Sequence, residues 1–235
     1  MDWWSRDVSR IDILSFDHLI YFLIMAVSLA LLIFNREKVK RNREQIANLI
    51  LMISILQQIL LYVWHIAEHN FDLSTSLPFQ ISRVNSLLGI WLLLTKNNKV
   101  LDVLFFFGLF AYGSFAYPTT IYPLSHSMGL SFVINHVITL ILPYFGYIAY
   151  HWRPKLSSVF KAYGWFIIYF IFVYILNPIV DGNYFFLKRR PFFIDMSDHL
   201  YILTVFSIVF IGFYLAFIVV TLINKYISKE NSSRS

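Results

Sequence analysis

The stretch FDHLIYFLIMAVSLALLIFNREKVKRNRE, residues 16–44, decides the fold. Its first part is an apolar run of the length, about 20 residues, that a helix needs to cross a hydrocarbon core. Its second part gathers Arg36, Lys38, Lys40, Arg41 and Arg43 into a short hydrophilic link before apolar sequence resumes. A helix that is apolar around its whole circumference is buried in a large core or in a membrane. The cationic block beside it marks the cytoplasmic end of a membrane span.

Working outward, the same alternation recurs to the end of the chain. It predicts spans at Phe16–Phe34, Ile46–Ala67, Pro78–Thr95, Val100–Tyr117, Gly129–Tyr150, Val159–Val180 and Leu200–Tyr226. The runs show no period-two alternation, and backbone in lipid must satisfy its own hydrogen bonds, so helices are expected rather than barrel strands. The predicted fold is all-α: a polytopic membrane protein of seven transmembrane helices, one domain over residues 1–235, with a short outer segment 1–15 and a basic inner tail 226–235. Composition agrees, since 58% of residues are hydrophobic and 14% charged, against about a quarter charged in soluble domains. The surplus apolar surface must face lipid.

The net charge of +6 would suggest a nucleic-acid partner in a soluble protein. Here the cations flank apolar runs and set orientation instead, so no nucleic acid is expected. Arg36 to Arg43, then Lys96 and Lys99, then Arg153 and Lys155, then Lys225, Lys229 and Arg234 fall in alternate links and share one side. The other side carries Glu68 and Asp72, a link from Pro118 to Met128 without Lys or Arg, and a last link in which Lys188, Arg189 and Arg190 mix with Asp181, Asp195 and Asp198. The positive-inside rule gives an N-out, C-in topology in the cell membrane. Acidic residues beside Arg6 and Arg10 distinguish the N-terminus from a cleaved signal peptide, so the first span is read as retained. Cysteine is absent, which excludes disulfides, thiolate metal sites and cysteine nucleophiles.

Polar groups inside spans are costly and therefore informative. The third span opens with LPFQISRVNS, in which Ser82, Asn85 and Ser86 share a face and Gln80 and Arg83 form a neighbouring stripe. The fifth span carries Asn135 and His136, on the order of 10 Å below its outer end at about 1.5 Å per residue. NPIVDGNY at 177–184 presents Asn177, Asp181, Asn183 and Tyr184, with Pro178 freeing backbone groups and Gly182 permitting a turn. His65, Glu68, His69 and His126 lie at the same level. These groups are expected to converge on one cavity in the outer half of the bundle. Arg83 is expected to pair with Asp181, Glu68 or a lipid phosphate. Lys188, Arg189 and Arg190 among aromatic residues suit an interfacial anchor or a grip on lipid phosphate. Trp3 and Trp4 suggest a second interfacial patch. His65, Glu68 and His69 spell H-x-x-E-H, a weak zinc pattern that lacks a third ligand, so no metal or other cofactor is expected.

LPFQIS at 77–82, FVINHVITLILP at 132–143, YHWRP at 150–154 and GNYFFLKRRP at 182–191 carry a resemblance that runs from about Phe16 to the last helix. On these motifs the chain resembles the YwaF-type bacterial integral membrane proteins, whose animal relatives include a transmembrane acyltransferase that forms ether phospholipids. More distantly it is similar to the androgen-induced membrane hydrolases that cleave fatty acid esters of hydroxy fatty acids. In the acyl-transferring relatives a nucleophile on one helix works with a histidine on another, which the resemblance places at Ser82 and His136. His136 would take the Ser82 proton, Ser82 would attack a phospholipid acyl ester, and the acyl group would pass to a second lipid or to water. Asn85, Asn135 and Arg83 would steady the oxyanion or the phosphate, with Gln80, Asp181, Asn183, Tyr184, Arg189 and Arg190 around the lipid. The family pattern usually reads LPL-x-LC, whereas this chain has Phe79, Gln80 and Ser82. A serine needs stronger base activation than a cysteine. The change therefore also fits a non-catalytic scaffold with a membrane-protein partner, the main alternative. A solute transporter ranks third, because few polar residues lie in the inner halves of the spans.

Overall fold

In the computed structural model, residues 2–117 and 121–233 are described, with side chains described as far as residue 226. Residues 118–120 of the expected Pro118–Met128 link and the Lys229 and Arg234 side chains lie outside that set. Among the described residues every regular element is helical. In order these are α1 (Phe16–Phe34), α2 (Arg36–Arg41), α3 (Arg43–His69), α4 (Leu73–Ser76), α5 (Ile81–Thr95), α6 (Leu101–Ala116), α7 (Ser127–Ala149), α8 (Leu156–Val180) and α9 (Asp198–Ser233). The six helices α1, α3, α6, α7, α8 and α9, with α6 counted from the 3-10 turn at Asn98, are long and apolar enough to cross a membrane.

The third predicted span is the exception. It forms α5, of 15 residues, or about 22 Å at the helical rise, shorter than a hydrocarbon core of about 30 Å. Pro78 holds Leu77 in an extended conformation, and Gln80 stays extended before the helix begins at Ile81. The link at 35–44 also differs from expectation, since most of it is helical. Asn35 and Asn42 break the chain into three helices, and Val39 is the buried residue of α2.

Helix α7 is the axis of the bundle and packs against α1, α2, α3, α5 and α6, while α8 joins through α6 and α9 lies outermost against α8. An aromatic core of Phe106, Phe166, Phe170 and Phe213 binds α6, α8 and α9. A second core of Leu92, Leu104, Leu142 and Phe145 joins α5, α6 and α7 toward the end where α3 begins. Gly129 admits the close approach that docks the start of α7. A β-carbon there would lie 1.9 Å from the Pro123 carbonyl oxygen.

The basic links collect at one end of the bundle. Lys96 after α5 pairs with Glu44 at the start of α3. Arg43 donates to the Ala149 carbonyl at the end of α7. Asp102 organises this end. Its Oδ1 accepts from Trp152 Nε1 and from Ser158 Oγ, both at 3.0 Å, and its Oδ2 accepts from Lys161 at 3.1 Å. One carboxylate thus ties α6 to the YHWRP link and to α8. Replacing Asp102 with Ala is expected to lower stability by roughly 2–3 kcal/mol, since hydrogen bonds to a charged group are lost and a buried serine loses its partner. Thermal unfolding of the purified protein in detergent measures it.

Candidate functional site

Four polar residues recur at every fourth position of α7: Ser127, Ser131, Asn135 and Thr139. That spacing places them on one face of the helix, and all four are buried. The face meets Gln57 and Gln58 of α3 and Asn85 and Ser86 of α5. Gln57 Nε2 donates to Ser131 Oγ at 2.8 Å. Gln58 Nε2 donates to Gln57 Oε1 at 2.7 Å and to Ser86 Oγ at 3.1 Å. The two glutamines therefore stitch α5 to α7 through α3. Sequence reasoning singled out Asn85 and Asn135 but missed Gln57, Gln58, Ser131 and Thr139. Their signal was the four-residue spacing on α7.

Beyond this stitched part, several buried atoms have no partner among the described residues: both amide atoms of Asn85, Asn135 Oδ1, Thr139 Oγ1, Gln58 Oε1 and Ser127 Oγ. Asn85 is 0% exposed. Gly108 of α6 leaves the space into which this amide points, since a β-carbon there would lie 3.7 Å from Asn85 Nδ2 and 3.2 Å from the Thr139 carbonyl oxygen. Leaving a buried amide or hydroxyl unanswered costs about 1–3 kcal/mol each.

His136 does not face this seam. Successive helical residues turn by about 100°, so Asn135 and His136 cannot point the same way. The His136 ring lies against Phe132 and Phe115, with centroids at 4.0 and 5.9 Å. Its Nδ1 lies 2.8 Å from the Phe132 carbonyl oxygen. A carbonyl only accepts, so Nδ1 carries the proton and Nε2 is left as an acceptor. Ser82 sits half-buried on the face of α5 that includes Asn85 and Ser86, and no hydrogen bond joins it to His136. The expected convergence on a single cavity is thus corrected to separate groupings, because α7 divides its polar residues between two faces.

Arg83 forms the second grouping. Its Nη1 donates to the carbonyls of Thr75, Ser76 and Leu77 at 2.8, 3.3 and 3.1 Å, and its Nη2 donates to His65 Nε2 at 2.9 Å. It closes the end of α4 rather than pairing with a carboxylate. Asp181 pairs with Lys188, and Glu68 accepts from the Arg6 backbone N–H. Because arginine can only donate, His65 carries its proton on Nδ1 and donates it to Ser76 Oγ at 3.0 Å. Ser76 and His65 are therefore joined in the wrong sense for a nucleophile and its base.

The third grouping is the link after α8. Asn177 Nδ2 donates to the Tyr184 carbonyl and Asn177 Oδ1 accepts from the Tyr184 N–H, at 2.9 and 2.8 Å. Tyr184 Oη donates to the Leu73 carbonyl at 2.6 Å. Asn183 Oδ1 accepts from the N–H groups of Lys188 and Arg189, both at 2.9 Å, and Gln80 reaches the Asn183 carbonyl at 3.5 Å. These side chains hold the link in place. The left-handed residue of the turn is Asp181, with φ of 52°, and Gly182 instead makes room for the Tyr184 ring, 3.0 Å from where its β-carbon would lie. The Lys188 hydrogen bond holds the Asp181 carboxyl below the usual carboxylate range. Arg190 pairs with Asp198 and stacks on Tyr201, while Arg189 has no ion pair among the described residues.

With this arrangement in view, the relationship to known proteins becomes specific. A sequence model of the TMEM164 family matches residues 13–225, from just before α1 into α9. The chain belongs to the TMEM164 family. Comparison with curated proteins and with solved structures gives no match. The match covers all three groupings of this TMEM164-family chain and makes it a multi-pass membrane protein by both sequence and fold.

Two cavities are formed away from Ser82. One, of ≈ 170 Å³, is an apolar crevice lined by Met25, Leu29, Tyr112, Val137, Leu140 and Ile141. The other, of ≈ 270 Å³, is lined by Lys188, Arg190, Asp198 and Tyr201 among others. The weak zinc pattern is not assembled. Arg83 occupies the His65 Nε2 lone pair, and no group of three metal-ligating side chains gathers among the described residues.

The N-terminal segment closes the end of the bundle above the seam. Trp64 Nε1 donates to the Trp4 carbonyl at 2.7 Å, and the Ser127 N–H donates to the Trp3 carbonyl at 2.9 Å. His126 accepts the Met128 N–H on Nδ1 and so donates from Nε2 to the Ser5 carbonyl at 3.0 Å. Arg10 stacks on Tyr122 at 3.3 Å. The Trp3–Trp4 patch is therefore strapped to α3 and α7. Trp64→Phe, which removes one strap bond, is expected to accelerate trypsin cleavage after Arg6 and Arg10 in proteoliposomes; an unchanged cleavage rate would mean the strap does not depend on that bond.

Proposed function

We propose that this TMEM164-family chain is a seven-span, N-out, C-in protein of a bacterial cell membrane that performs acyl-ester chemistry on phospholipid in the outer half of the bilayer. The observation that carries this reading is the polar face of α5. Ser82, Asn85 and Ser86 are turned into the bundle beside the polar stripe of α7, while the other end of the same helices is closed by Leu92, Leu104, Leu142 and Phe145. Polarity confined to one half suits a substrate entering sideways from lipid and gives a transported solute no way through. The reaction class is taken from the resemblance of LPFQIS, FVINHVITLILP and GNYFFLKRRP to acyl-transferring membrane proteins.

In this reading Ser82 is the nucleophile and His136 the general base. The tautomer of His136 supports the assignment, because Nδ1 is held by a carbonyl and Nε2 is the acceptor that a base requires. Because the His136 ring lies against Phe115 and not in the seam, the pair forms in this reading only when bound lipid brings the Ser82 hydroxyl round to Nε2. Asn85 offers an unshared amide donor for an oxyanion, and Arg189 an unpaired cation for a phosphate. A seventh span is supported by the course of α5, which reaches His65 near one end of α3 through Arg83 and Glu44 near the other through Lys96.

The unjoined Ser82 and His136 favour a second reading: a non-catalytic scaffold for a membrane-protein partner. The two readings separate in one assay. Purified protein in nanodiscs containing phospholipid with labelled acyl chains is expected to release or transfer label, and Ser82→Ala and His136→Ala are each expected to reduce that to background. Parental activity in Ser82→Ala would remove the mechanism, and no turnover together with a stoichiometric co-purifying partner would establish the scaffold.

Topology is testable without background, because the chain has no cysteine. Asp195→Cys is expected to react with an impermeant maleimide in intact cells. Lys38→Cys is expected to react only after permeabilisation, and the reverse pattern would invert the assigned orientation.

A further inference from the structure

We propose that the seam between α3, α5, α6 and α7 is a water-binding column that enters from the end covered by the N-terminal strap and stops near the middle of the bundle. Its length follows from α7. From Ser127 to Thr139 the polar stripe covers about 18 Å at the helical rise. Along it the unanswered atoms are Ser127 Oγ, Asn135 Oδ1 and Thr139 Oγ1 on α7, Gln58 Oε1 on α3, and both amide atoms of Asn85 on α5. Below Thr139 the stripe ends and Leu142 and Phe145 pack with Leu92 and Leu104, all of them 1% exposed or less. The column therefore has a closed foot.

The chemistry of the orphaned atoms selects the ligand. Gln58 Oε1, Asn85 Oδ1 and Asn135 Oδ1 can only accept, so the occupant must donate. Asn85 Nδ2 can only donate, so the occupant must also accept. A metal cation would serve the oxygens and leave the Asn85 NH₂ unanswered, and an anion would do the opposite. Among the described residues the seam contains no charged side chain to offset either ion. Water donates and accepts, and buried water typically answers about three otherwise unsatisfied groups. Gly108 contributes by having no side chain where the Asn85 amide and the Thr139 carbonyl approach. The stitched residues Gln57, Gln58, Ser86 and Ser131 form the wall from which the column hangs. The column brings water from one side of the bundle to its middle; it shares Asn85 with the ester chemistry proposed for Ser82 but rests on the unanswered atoms alone, and its test reads hydration rather than activity.

Water-edited solid-state NMR on the full-length, isotope-labelled protein in proteoliposomes tests this without any activity. The Asn85 and Asn135 side-chain amides are expected to receive magnetisation from water severalfold faster than the Leu142 and Phe145 backbone amides on the inner part of α7. Equal, slow build-up at all of them would overturn the column. Thermal stability gives an independent sign. In a hydrated seam Asn85→Leu expels water that Asn135 and Thr139 also use, so the unfolding midpoint is expected to fall. A dry seam would gain from losing an unanswered amide, so a rise or no change in the midpoint would contradict the proposal, and the NMR of the parent protein stands if the variant does not fold.

Discussion

In hydrocarbon there is no bulk solvent to answer a polar group, so it falls to another part of the chain or to buried water. Three hubs meet that constraint at three levels of the bundle. At one end Asp102 accepts from Trp152, Ser158 and Lys161 and ties α6 to α8. In the middle Gln57 and Gln58 reach both ways from α3, to Ser131 on α7 and Ser86 on α5. At the other end Arg83 gathers the last carbonyls of α4 and the ring of His65. Apolar packing between helices gives little orientation by itself, because lipid tails offer similar contacts. The hubs therefore set register and rotation, and the phenylalanine clusters fill the space they define.

The hubs also explain why α9 and α1 are peripheral. Both expose long apolar faces, and none of the three hubs reaches them: α1 is held by His18 to the Phe115 carbonyl at 2.6 Å and Tyr21 to the Tyr122 carbonyl at 2.7 Å, and α9 by Arg190 to Asp198, by Tyr163 to the Phe206 carbonyl at 3.2 Å and by Tyr147 to Asn224. His18 takes the Leu14 N–H on Nδ1 and so donates from Nε2, which fixes the entry of α1 against the end of α6. Strongly fastened helices form the centre and weakly fastened ones face lipid. A lipid-facing rim around a polar middle follows from where the hydrogen bonds are.

Much of the architecture was legible because span length and charge asymmetry are one-dimensional signals. The apolar runs at Phe16–Phe34 and Val159–Val180 end within a few residues of α1 and α8, and the cationic links do collect at one end. Rotation about a helix axis is harder to read. Asn135 and His136 are neighbours in sequence and were assigned to one cavity, yet the 100° step between them sends one to α3 and α5 and the other to Phe115. Long side chains defeat the reading in another way. Arg83 was expected to seek a carboxylate, but its reach and five donors let it satisfy three backbone carbonyls and a histidine instead. At Gly182 the residue type pointed to a turn, whereas the left-handed position is taken by Asp181 and the glycine is required by the Tyr184 ring.

His65 and His136 show how partner choice settles chemistry. His65 has a serine at hydrogen-bond distance, but Arg83 consumes its acceptor nitrogen, so the ring can only donate to Ser76. His136 has its donor nitrogen consumed by the Phe132 carbonyl and keeps the acceptor, but no serine lies on it. A base must accept, so of the two only His136 has the electronic state for the task, and only His65 has the geometry of a fixed pair. The arrangement separates a structural serine–histidine contact from a reactive one by which nitrogen the surrounding backbone occupies. For His136 to act as a base a hydroxyl would have to be brought to its Nε2, the acceptor that the Phe132 carbonyl leaves free.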